Sequence, residues 1–221
     1  TGLKYVEPVD GGWQTEAPSA VAFEGYPEPR ELSLSDIAKL KADFAAAAER
    51  ALAADFDLIE IHSAHGYLLH EFLSPISNKR QDAYGGSLEN RIRLLCEIAS
   101  ELRLIVPSSR ALAVRISATD WIEGGWDIDQ SVELCRELKA LGIDLIDVSS
   151  AGISTAQDIK LGPAYQTPFA ERIHQDTGIA TSAVGSITTG VQAEEILQRG
   201  NVEAVMIGRA MLANNNWPDK A

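Results

Sequence analysis

The stretch Asp57-Leu58-Ile59-Glu60-Ile61-His62-Ser63-Ala64-His65-Gly66-Tyr67 decides how this chain is read. The apolar run 56–61 has the length and composition of a buried strand, and His62, His65 and Tyr67 then fall on the turn leaving its C-terminal end. Parallel α/β proteins bind their ligands at that end. Two imidazoles there can hold an oxygen by hydrogen bonds while a phenol delivers a proton. That is equipment for polarising a carbonyl and protonating a neighbouring carbon. Two surface histidines and a packing tyrosine are the plainer alternative, and these residues alone leave it open.

Working outward, residues 34–54 form a helix, with Ile37, Leu40, Phe44, Ala47, Ala48 and Ala51 on one face and a capping pattern at Ser33 and Asp36. The chain then alternates. Apolar runs at 57–61, 111–116, 145–148, 180–184 and 204–207 read as strands, separated by amphipathic helices at 89–105, 129–141, 164–177 and 189–198. Gly142 and Gly178, and with them Gly200, stand directly after helices, where a left-handed residue costs glycine little. This βα alternation implies a parallel sheet with right-handed crossovers, and strands so apolar are expected to be covered on both faces. Five strands suit an open sheet or part of a barrel, since a closed eight-stranded barrel usually takes about 250 residues. Residues 1–34, rich in proline and glycine, form an irregular leader to the βα units of 35–221, within one domain.

The composition bounds the function. A net charge of −13 over 221 residues argues against binding nucleic acid or an anionic membrane surface. No apolar run approaches a membrane span, and no signal peptide opens the chain. Cys96 and Cys135 lie far apart in helical segments without a metal-ligand pattern, so reduced thiols in a cytoplasmic protein are expected.

Other strand ends carry polar groups. Arg115, in mid-strand, must find an anion or an acceptor; an internal salt bridge to Glu60 or Asp147 is the structural alternative. Ser149 and Ser150 can line a pocket or simply form a turn. Gly185 follows one strand, and Gly208-Arg209 follows the next. Glycine turns let backbone N–H groups approach an oxyanion and Arg209 adds charge, so a phosphate site is expected there. Between 68 and 91 a long connection mixes charges and glycines. Arg80, Asp82, Asn90 and Arg91 are expected to fold it by internal hydrogen bonds, with Ser87 capping the next helix.

His62-Ser-Ala-His65-Gly-Tyr67-Leu-Leu, Phe72-Leu-Ser-Pro75, Asn78-Lys-Arg80-Gln-Asp82-Ala-Tyr84-Gly-Gly-Ser87 and Glu89-Asn-Arg91 resemble the old yellow enzyme family, especially its thermophilic-like ene-reductase and xenobiotic-reductase branch. Val114-Arg115-Ile-Ser117, Asp147-Val-Ser-Ser150, Ala183-Val-Gly185 and Ile207-Gly-Arg209 recur in the family's order. The resemblance implies an FMN-dependent (β/α)8 TIM barrel that takes hydride from NADH or NADPH and passes it to the C=C bond of an activated alkene. It implies that His62 and His65 bond the substrate carbonyl or nitro oxygen and that Tyr67 donates the proton. It assigns Arg115 to the flavin edge, and Gly185, Gly208 and Arg209 to the phosphate.

The departures are as informative. The five strands match the family's fourth through eighth, so the chain reads as a fragment of an incomplete barrel without the first three strands. The branch's active-site cysteine has no counterpart here, and the family's C-terminal tail is cut short after Trp217-Pro218. Asp55 stands where glycine is usual. A barrel opened at two edges is expected to form homo-oligomers or to bind FMN poorly on its own. Two competing readings are a barrel fragment without catalysis and another phosphate-binding barrel, such as an aldolase or isomerase. No strand-end lysine supports a Schiff-base version of the last.

Overall fold

The computed structural model describes residues 5–218. Five strands, β3 (Leu58–Ser63), β4 (Ala111–Ser117), β5 (Leu145–Ser149), β6 (Ala180–Ala183) and β7 (Ala204–Val205), form one parallel sheet in sequence order. Helices α3 (Leu88–Ile105), α4 (Ile128–Ala140), α5 (Thr167–Thr177) and α6 (Gly190–Gln198) form the crossovers. Sequential order without a switch point is the connectivity of a barrel wall, here a five-strand part of one.

The 20-residue helix α1 (Leu34–Ala53) begins at a complete capping box: the Ser33 hydroxyl accepts from the Asp36 N–H, and the Asp36 carboxylate accepts from the Ser33 N–H. After α1, Asp55 adopts a left-handed φ of 64°, which explains why a glycine suits this turn. Aspartate is among the few side chains that tolerate this region. Glycines 142, 178 and 200 follow α4, α5 and α6 with positive φ, as expected.

One face of the sheet packs on the helices. Ile61, Val114, Ile116, Ile146 and Val148 join Leu94, Leu95, Ile98, Leu134, Leu138 and Ile173 in a single core. Full coverage of both faces holds for β5 but not for β3, whose Leu58, Glu60 and His62 are only partly covered while Ile61 and Ser63 are buried. β3 lies at an edge of the sheet, so its second face lacks the neighbours that β5 has on both sides.

Outside the leader, two elements differ from the sequence reading. α2 (Leu68–Leu73) stands where a loop was expected, and α7 (Arg209–Ala213) follows β7. In the leader, whose first four residues lie outside the described ones, β1 (Glu16–Ala17) pairs in parallel with β2 (Arg30–Glu31). Arg80 pins this leader to the β3–α3 connection, donating to the carbonyls of Pro18 and Leu32 while its other edge meets Asp82. Arg91 donates to Leu73 O, Asn90 to Gly85 O and Asp82 O, and Ser87 caps α3. The structural roles expected for these side chains are the ones they play.

Candidate active site

β3 runs on through His62, so that histidine is a strand residue rather than a turn residue as the sequence suggested. The register explains its place. His62 pairs with Arg115, Arg115 with Asp147, and Asp147 with Ser182, so alternation puts all four on the sheet face away from the helices. Asp147 is buried and accepts from Ser182 Oγ at 2.8 Å. Arg115 Nε lies 3.1 Å from Asp147 Oδ2, yet its N–H is not aimed at that oxygen and has no hydrogen-bond partner. The internal ion pair therefore forms and leaves donor capacity on the guanidinium. Burial pushes the Asp147 carboxyl up by more than Arg115 and Ser182 hold it down. Glu60, two residues before His62 on the same face, is raised by burial and by Asp147.

The turn leaving β3 is held in two successive left-handed residues, His65 at φ 61° and Gly66 at φ 75°. A histidine there costs about 1–2 kcal/mol, so the surroundings must impose it. They do: His65 N donates to Ser117 Oγ at 2.9 Å, and Ser117 Oγ donates to Ala151 O at 2.8 Å. Gly66 abuts Gly152 so closely that a Cβ on Gly66 would lie 2.0 Å from Gly152 O. The loops after β3, β4 and β5 thus interlock at one rim.

Three rings collect there. The His62 ring lies 5.3 Å from that of His65 and 5.4 Å from that of Tyr67. His65 Nε2 sits 2.7 Å from Ser149 Oγ, which gives this serine a partner in the site beyond turn formation. Burial, followed by the charge of Arg115, pushes the His65 imidazole down to about 4, and the same two causes lower His62. His65 is therefore neutral at pH 7. Tyr67 is 64% exposed at the start of α2, so its hydroxyl is accessible.

Beneath this turn lies a cluster that the sequence reading missed. Gly66 N donates to His70 Nδ1 at 2.9 Å, and His70 Nε2 meets Asp120 Oδ1 at 3.0 Å. Asp120 Oδ2 accepts from Ser74 Oγ at 2.6 Å and from Trp126 N at 2.7 Å. His70, Ser74 and Asp120 are wholly buried. Asp120 lies in a loop with no motif, so only its contacts reveal it.

The remaining expected residues occupy the other half of the same rim. Because all five strands are parallel, the loops after β6 and β7 emerge at the end that carries Tyr67. Gly185 has φ 117° and packs under Tyr165 and Gln166. Gly208 has φ −94° and open space where a Cβ would be. Arg209 is exposed, and its guanidinium has no partner among the described residues. Trp217 Nε1 donates to Thr188 O at 3.2 Å, joining the segment after α7 to the β6 loop. The His62 ring is thus in contact range of both His65 and Tyr67, Arg115 adjoins His62 by register, and Gly185, Gly208 and Arg209 share only the rim with them.

Residues 4–221 match the NADH:flavin oxidoreductase / NADH oxidase family. An NADH:flavin oxidoreductase of Gibberella zeae is 48% identical over 217 residues, covering 90% of this chain and 52% of the relative. An NADPH dehydrogenase of Halalkalibacterium halodurans is 47% identical over 205 residues, covering 93% of this chain and 60% of the relative. The chain thus spans little more than half the length of the curated relatives it matches. The solved old yellow enzyme homologue from Zymomonas mobilis superposes with a TM-score of 0.78 at 29% identity, over 96% of this chain and 61% of that one.

Proposed function

We propose that this chain, a member of the NADH:flavin oxidoreductase / NADH oxidase family, carries the substrate half of an FMN-dependent ene-reductase. The reduced substrate would be an α,β-unsaturated carbonyl or nitro compound. The observation that carries this reading is the cluster of the His62, His65 and Tyr67 rings at the rim, beside Arg115.

The residues fit the flavin. The unpartnered Nε–H of Arg115 supplies a donor on the inner face, and Gly208 with Arg209 leaves open backbone and an exposed cation for a phosphate. Bound FMN, recharged by NADH or NADPH, would supply hydride to the alkene β-carbon. This chain's part is binding and protonation. His62 and neutral His65 hydrogen-bond the carbonyl or nitro oxygen, with Ser149 holding His65, so negative charge developing on that oxygen is stabilised. The Tyr67 O–H bond breaks as the α-carbon takes its proton, and solvent reprotonates the exposed phenolate. Tyr67→Phe is expected to slow alkene-driven reoxidation by about 10²-fold or more and to leave flavin reduction by NADPH intact. Rapid-mixing measurement of the two half-reactions checks this, and equal loss in both would refute the assignment.

The second reading, a barrel piece that keeps its fold without holding FMN, is favoured by one observation. Phe56 and Leu58 at the β3 edge are 60% and 44% exposed, beside unpaired strand backbone. Self-association through this edge into a homo-oligomer is proposed for the chain on its own. Light scattering with a flavin absorbance spectrum tests it: a monodisperse yellow monomer would eliminate both ideas. A cytoplasmic location accords with the two unpaired cysteines, Cys96 and Cys135.

A further inference from the structure

We propose that His70 is a positioning residue for proton transfer, fixing through the Gly66 amide the backbone between His65 and Tyr67. This rests on the reading of His62, His65 and Tyr67 given above.

The need arises from local structure. Tyr67 is the N-cap of α2 and provides no side-chain cap, so contacts other than a capping side chain must hold the turn that enters this helix. His70 reaches back from inside the helix and accepts from Gly66, the residue before the cap. Accepting at Nδ1 requires that nitrogen to be unprotonated, so the ring proton sits on Nε2 and is donated to Asp120 Oδ1. The other carboxylate oxygen is occupied by Ser74 Oγ and Trp126 N. Ser74 follows α2, while Trp126 precedes α4, so the cluster ties the reacting turn to the loop after β4. His65 N is meanwhile anchored on Ser117, at the end of the same β4.

His65 and Gly66 are consecutive left-handed residues, and the peptide joining them orients the imidazole on one side and the phenol on the other. Releasing the Gly66 N–H would let this peptide rotate. A misplacement of about 1 Å is enough to cost on the order of 10²-fold in rate.

Two substitutions separate the two ends of the ring. In His70→Asn, Oδ1 stands where Nδ1 stood and can accept from Gly66, while the contact with Asp120 is lost. In His70→Gln, the longer amide reaches toward Asp120 and the Gly66 acceptor is lost. Amide hydrogen exchange is measured at Gly66, with Leu94 in the core helix α3 as the monitor of global opening. Gly66 exchange is expected to quicken by about 10-fold or more in His70→Gln relative to Leu94, and to stay near wild type in His70→Asn. In the flavin-loaded protein, reoxidation by 2-cyclohexenone should slow by about 10-fold or more in His70→Gln and recover in His70→Asn, with reduction by NADPH unchanged in both.

Unchanged Gly66 exchange in His70→Gln would overturn the proposal. So would equal slowing of the two half-reactions, or an Asn variant as impaired as the Gln one. If wild-type protein reduced no activated alkene while Gly66 exchange still distinguished Asn from Gln, the ene-reductase reading would fail and the assignment of His70 to the turn would stand.

Discussion

The two halves of the rim are built on opposite plans. Around β3, β4 and β5, hydrogen bonds and close packing converge on a single turn: His65 bonds to Ser117 and Ser149, and Gly66 bonds to His70 and abuts Gly152. Around β6 and β7 the strands shorten to four and then two residues, Gly208 faces open space, and Arg209 is exposed. The difference follows from the tasks proposed for each half. Proton delivery tolerates little error in position, so the turn that carries its donor is held in advance. A phosphate brings two negative charges and several acceptors of its own, and a flexible cation with free backbone N–H groups can close on it.

Glycine substitution is the sharpest way to break this contrast. Gly66→Ala should cost about 3 kcal/mol, because it adds left-handed strain and drives a methyl into the Gly152 carbonyl. Gly208→Ala should stay within about 0.5 kcal/mol of wild type, since nothing lies where its Cβ would go. Denaturant unfolding measures both. Arg209→Ala should leave stability equally untouched and weaken FMN binding by about 10-fold or more, as expected for one charge-assisted bond. Comparable destabilisation by all three changes would mean that the halves do not differ.

A smaller effect separates two titrating groups of the rigid half. His65 is depressed to about 4 from an ordinary 6.5, so between those values the unfolded chain binds the extra proton and stability rises with pH. Glu71 is raised by burial to about 7 from an ordinary 4.5, so between those values the folded chain holds the extra proton and stability falls with pH. The two slopes oppose each other over nearly the same window. In Glu71→Gln the falling contribution disappears. Its melting temperature, relative to wild type, should therefore climb between pH 4.5 and 7 and level off above. A flat difference across that range would show that Glu71 is not held protonated.

What the sequence made legible follows from what carries a periodic signal. The helices α1, α3, α4 and α5 and the strands β3 to β6 bury one face against a shared core, and their apolar spacing records it. α2 escaped notice because it is six residues long with Leu69, His70, Phe72 and Leu73 all buried, so no polar face marks its period. The rule that polar residues leave strands puts His62 on the turn. Its strand lies at a sheet edge with a polar inner face, where that rule fails. His65, Tyr67 and Arg115 stood out by residue type and motif. Asp120 did not, because the worth of a buried carboxylate lies in the groups around it, contributed from as far away as His70 and Ser74.

The row His62, Arg115, Asp147, Ser182 has a consequence for assembly. Parallel ladders are nearly indifferent to one strand sliding along another, since each shift rebuilds the same backbone bonds. These side chains are not indifferent. A slip of β4 by one residue would drive a guanidinium into the helix layer, and a slip of two would seat it against Leu145 or Ser149 and strand Asp147 without its cation. The charged row thus acts as an alignment mark across four strands, making misthreaded sheets costly before any ligand arrives.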